Sequence, residues 1–229
     1  MKRIVTALLA CCFIASMSYA EELKVVGIEL SKTTTSAEKV CDAECCSKGC
    51  PIEAAMAKLP KMTYLVGKEE TCCSASAAEL AKKHDKPIQF VVAKKPFAAE
   101  AKAMAALAAT TEKFVTDFAK PSHCETSGKY TVAGKELCCE VMAGQRATLA
   151  KNAMKKVEMT YLVGDKECHC PTEAATLAKK SGKDKLFVVA GQKTCCNIDA
   201  RLKLAQAKYK AAVTALAKAD APAKTAEKS

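Results

Sequence analysis

Adjacent soft donors recur along this 229-residue chain: Cys72 with Cys73, Cys138 with Cys139, His169 with Cys170, and Cys195 with Cys196. Cys168 stands beside one of these pairs, giving Cys168-His169-Cys170-Pro171. Neighbouring cysteines rarely bridge each other, because the eight-membered ring strains both the peptide and the disulfide torsion. Each pair must therefore look outward, to another pair or to an ion. A thiol at a helix start also feels unpaired N–H groups and the positive end of the macrodipole, which favour thiolate. Thiolate is the form that binds soft metals and attacks disulfides. His169 in place of a thiol keeps a donor that can hold a metal but cannot bridge. Upstream, Cys41, Cys45, Cys46 and Cys50 form a four-cysteine cluster with two i,i+4 pairs. On a regular helix such pairs share a face but sit too far apart for an unstrained disulfide. Gly49 and Pro51 break a continuous helix here and make Cys50 the start of the next one. The cluster reads equally as a soft-metal site or as two staples fixing a loop.

The elements that must position these donors follow one phrase. An aromatic strand runs into a turn, and eight residues after the aromatic comes the pair: Tyr64 to Cys72, Tyr130 to Cys138, Tyr161 to His169, Phe187 to Cys195. A fifth copy, from Phe90, has Ala98 and Ala99 in place of the pair. Aromatic and β-branched content makes Tyr64-Leu65-Val66 a strand. Gly67-Lys68 or Ala133-Gly134-Lys135 supplies the positive φ of a tight hairpin. The returning strand then delivers the pair to a helix. The alternative is a βαβ unit in which the Tyr64 and Phe90 strands are parallel neighbours; recurrence of the turn favours the hairpin.

Shifting the chain by 97 positions lays 62–93 on 159–190 without a gap, with 19 of 32 residues identical. A repeat at fixed period decides the architecture. The expected fold is α+β, a tandem repeat of small β-hairpin/helix units in two homologous halves, 41–121 and 122–219. Each half is closed by a longer amphipathic helix. The apolar stripes are Phe97, Met104, Leu107, Phe114 and Phe118 in one, and Ile198, Leu202, Ala205, Tyr209, Val213 and Leu216 in the other. These Ala-rich helices pack on each other or on a second copy of the chain, as a homodimer. Pro121, Ser122 and Gly128 mark the join as irregular chain. His84 and the neighbours His123 and Cys124 lack the surroundings of a preorganised nucleophile or base.

The unit carrying Tyr130, Val132, Gly134, Lys135, Cys138 and Cys139 resembles half of the small treble-clef modules of the YHS and TRASH type. Each copy covers about ten positions of that pattern. The family has Cys-X-X-Cys after the hairpin, whereas Met142 follows Cys139 here. The resemblance implies soft-metal handling.

Residues 1–20 have the layout of a secretory signal: basic Lys2-Arg3, an apolar stretch over 4–17, and small residues at Ser18 and Ala20. The segment is short of the ~20 apolar residues of a membrane span, so the expected mature protein is soluble, exported to the periplasm or beyond, with no membrane span. A short strand at Leu23 and a Ser/Thr-rich loop fill 21–40, and a disordered tail is expected over 220–229. Two of the 15 cysteines leave with the signal, and the 13 that remain are an odd number. Disulfides, the default in an oxidising compartment, cannot use them all. The formal charge of +11 comes almost wholly from Lys, and the chain has no Trp. Polyanion recognition leans on Arg forks and stacking aromatics, so nucleic acid is not the expected partner.

No phosphate loop, paired-carboxylate constellation or nucleotide fingerprint stands out, and the chain reads as a binding protein rather than an enzyme. The expected partner is a soft metal ion, Cu(I), Zn(II) or another thiophilic metal. Its candidate ligands are Cys41, Cys45, Cys46, Cys50, Cys72, Cys73, Cys138, Cys139, Cys168, His169, Cys170, Cys195 and Cys196. One alternative is a disulfide-stapled structural or interaction protein without metal. The other is thiol–disulfide exchange through Cys168 and Cys170, since Cys-X-Cys bridges are strained and easily reduced.

Overall fold

The computed structural model describes residues 50–221. The signal, the 21–40 segment, Cys41, Cys45, Cys46 and the tail beyond Ala221 lie outside these residues. The described chain is α+β, with helices and small antiparallel sheets. None of its helices is long and apolar enough to cross a membrane.

A short helix α1 (Pro51–Met56) comes first. Five successions of strand, turn, strand and helix follow. The first is β1 (Met62–Val66), β2 (Glu69–Thr71) and α2 (Ser74–His84); the second is β3 (Ile88–Val92), β4 (Lys95–Phe97) and α3 (Glu100–Phe118). Next come β5 (Ser122–His123), β6 (Tyr130–Val132), β7 (Lys135–Leu137) and α4 (Glu140–Lys155). The last two are β8 (Met159–Val163), β9 (Lys166–Cys168) and α5 (Pro171–Ser181), then β10 (Lys185–Val189), β11 (Gln192–Thr194) and α6 (Asn197–Asp220).

The strands form three sheets, ordered β2-β1-β3-β4, β11-β10-β8-β9 and β5-β6-β7. Each expected hairpin is present. β1 and β3 are also neighbours, but antiparallel, because the hairpin reverses the chain before α2 returns it. Tyr64 faces Phe90 in the first sheet and Tyr161 faces Phe187 in the second. The rings meet edge-on or tilted, with centroids 5.8 and 5.6 Å apart. Such pairs hold two strands in register by packing as well as by the ladder.

Two expectations need correction. Phe97 belongs to β4, where it faces Phe90, and not to the stripe of α3. The join between halves is not wholly irregular. Ser122 and His123 pair with Thr131 and Tyr130 as a third strand, and the His123 ring lies 4.6 Å from the Tyr130 ring. A Pro-Ser-Gly composition marks a turn without excluding a two-residue ladder beside it.

α6 is the spine. α3, α4 and α1 all pack against it. Tyr209 is its centre, 1% exposed, with Phe114 and Phe118 edge-on at 5.4 and 4.8 Å. Ala108, Ala150 and Ala212 are fully buried and let the helices approach closely. The two sequence stripes therefore meet each other within one chain.

Candidate thiol sites at the helix starts

The residue that begins each helix is the first finding. The N-cap positions of the six described helices are Cys50, Cys73, Ala99, Cys139, Cys170 and Cys196. Ser, Thr, Asp and Asn are favoured there because their oxygen accepts from an orphan N–H, and losing that bond costs about 1 kcal/mol. None of the six makes a side-chain cap hydrogen bond. Five cysteines thus occupy positions where local stability favours other residues.

The surrounding chain fixes these thiols in place. Each N-cap carbonyl accepts the first helical bond from an Ala four residues on, at 3.0–3.2 Å for Ala77, Ala103, Ala143, Ala174 and Ala200. These five alanines have zero exposure. Only a methyl fits between the first helical turn and the hairpin that precedes it. Thr71 and Thr194 add a second restraint, their hydroxyls accepting the N–H of Cys73 and Cys196 at 3.2 Å. The spacing of Ala after the pair is visible in the sequence, yet periodicity alone does not single it out.

Core and surface alternate along the returning strand. Leu137 and Cys168 face inward and are buried, opposite Tyr130 and Tyr161 in the ladder. The next two residues face out, so Cys72, Cys73, Cys138, Cys139, His169, Cys170, Cys195 and Cys196 are all exposed. Cys168 is 2% exposed and packs with Tyr161, Val163, Ala174, Phe187 and Ala200. It behaves there as a small apolar side chain, while Cys170, two residues on, is in solvent. Cys50 caps α1 and is partly buried. None of the nine cysteines from Cys72 onward is bridged.

Electrostatics differ among the thiols. The Ser76 N–H and hydroxyl, then the Ala75 N–H, hold Cys73 below the ordinary thiol value. The Thr172 hydroxyl, 3.1 Å from Cys170 Sγ, does the same for Cys170, aided by the Glu173 and Thr172 N–H groups. Cys124, absent from the sequence-derived ligands, has a lowered pKa for a similar reason. It opens a tight turn closed by the Gly128 N–H on its carbonyl at 2.8 Å, and the Ser127 hydroxyl and N–H and the Thr126 N–H favour its thiolate. Met142 is a second donor outside that set: its Sδ accepts from Cys138 Sγ at 3.6 Å.

The arrangement supplies exposed soft donors in twos. Among the described residues, no three His, Cys, Asp or Glu side chains come together as a metal-holding group. Structural zinc takes four ligands; soft monovalent ions are satisfied by fewer, and thiolate and thioether select Cu(I). No family model, curated protein or solved structure matches this chain.

Proposed function

We propose that the protein binds and sequesters a soft, thiophilic metal ion outside the cytoplasm, holding it on the exposed thiols at its helix starts. The observation that carries this reading is the use of exposed cysteine at four of the five N-caps from α2 onward, without a capping bond. Stability alone favours an oxygen side chain there, whereas thiolate formation draws on the same dipole. The likeness of the Tyr130–Cys139 unit to heavy-metal modules points the same way.

Donors in twos favour Cu(I) over Zn(II) on this reading. An ion that insists on four ligands would need a second copy of the chain, and the homodimer expectation attaches to that case. Exchange chemistry through Cys168 and Cys170 is not favoured, because burial of Cys168 keeps a disulfide partner from its sulfur.

The test is an equilibrium titration of the reduced full chain with Cu(I) and, separately, Zn(II), each against a chromophoric chelator. The chain should take Cu(I) from the chelator at several ions per molecule and hold Zn(II) more weakly. Failure to compete for either ion would remove the metal reading.

A further inference from the structure

A groove between α3, α4 and α6 has no cysteine in its lining and a volume of about 580 Å³. That lies within the range of small-molecule sites. Val115, Ala119, Met154, Leu204 and Ala205 form its apolar part. Its charged part holds five cations and one carboxylate, and the pairing among them is uneven. Arg201 is held by Glu112, and Lys120 by Asp117 at 2.7 Å. Lys151, Lys155 and Lys208 have no carboxylate partner among the described residues. Lys151 and Lys155 are four residues apart on α4 and so share a face.

From this charge distribution we propose that the groove binds a single-chain amphiphile with an anionic head, such as a long-chain carboxylate. The tail lies along Met154, Leu204 and Val115, and the head meets the unpaired lysines. Burying apolar surface drives the tail inward, and three uncompensated cations beside it attract a negative head. A folded protein partner needs roughly 1,000 Å² or more of interface, which a groove of this size does not supply. A nucleic acid would want stacking aromatics, and none lines it. A second groove beside α6, about 540 Å³, also holds three lysines, Lys156, Lys210 and Lys218, and no carboxylate, but its apolar lining is Leu149, Val157 and five alanines, so the position of the shifted methyl signals decides between the two.

Calorimetry of the full chain with laurate, kept below micelle formation, tests this together with NMR of methyl-labelled Met and Leu. About one laurate should bind per chain, the Met154 methyl signal should move, and added salt should weaken binding. Dodecyltrimethylammonium, with the same tail and a cationic head, should bind about tenfold more weakly or worse. Lys151→Glu with Lys155→Glu should cost a similar factor at an unchanged unfolding midpoint, and the Lys→Gln pair should fall between. Equal binding of both heads, indifference to these substitutions, or shifts beside Leu149 in place of Met154 would overturn the proposal. So would a full chain that takes up no laurate because its own outer segments or a second copy cover the groove.

Discussion

Arg201 on α6 and Glu112 on α3 meet fork to fork, Nε to Oε1 at 2.9 Å and Nη2 to Oε2 at 2.7 Å. The pair ties together two helices that lie 89 residues apart in the chain. Both side chains are about two-fifths exposed, so water and salt screen the attraction. Glu112→Ala should cost under about 1 kcal/mol. Tyr209→Ala, which empties the buried centre of the same seam, should cost about 3–5 kcal/mol. Urea unfolding of the two variants measures the contrast.

The buried alanine after each pair should tolerate nothing larger. Ala174 packs in the second sheet's core at zero exposure, beside Tyr161 and Phe187. Ala174→Leu forces the start of α5 off its hairpin and should destabilise by about 1–3 kcal/mol. Thermal unfolding should show the loss, and a midpoint unchanged by the substitution would contradict the packing described.

Thiol reactivity should depend on pH in a graded way. Cys73, Cys124 and Cys170 have lowered pKa values, so each loses its proton at lower pH in the folded chain than when unfolded. Any stability they contribute is present above the ordinary thiol pKa and lost as pH falls through the lowered one. Alkylation at neutral pH should therefore be faster at these three sites in the folded chain than in the unfolded chain. Ser76→Ala removes the Ser76 hydroxyl beside Cys73 and should shift that site's rate profile to higher pH. Peptide mapping after brief alkylation across a pH series reads each site separately.

One turn is strained. Ala93 and Lys94 both take positive φ, +49° and +66°, between β3 and β4, whereas β6–β7 and β10–β11 place Gly134 and Gly191 second in the equivalent turns. A left-handed conformation costs a non-glycine residue about 1–2 kcal/mol, partly offset by glycine's greater chain entropy. Lys94→Gly should stabilise by about 0.5–1 kcal/mol, visible as a raised urea midpoint.

The hairpins, the α+β class and the apolar faces of the long helices were legible because their signals are local: turn residues, strand composition and helical periodicity. Phe97 was misplaced because an aromatic at a strand end serves equally well as the first knob of a helix stripe. The strand at Ser122 and His123 was missed because two residues carry no period. At the candidate site, the cysteine pairs could be read directly. The separation of Cys168 from Cys170 could not, since it depends on which strand residue faces Tyr161 across the ladder. The groove on α6 was illegible for a related reason: its lysines come from α4, from α6 and from the chain just after α3, which only packing brings together.

Residue-level protection by Cu(I) tests the central claim most directly. The reduced chain is loaded with Cu(I), alkylated, and mapped by mass spectrometry beside a metal-free control. Cys72, Cys73, Cys138, Cys139, Cys170, Cys195 and Cys196 should react freely without metal and be protected with it, while buried Cys168 should react poorly in both. Equal labelling of the exposed pairs with and without Cu(I) would contradict metal binding at the helix starts.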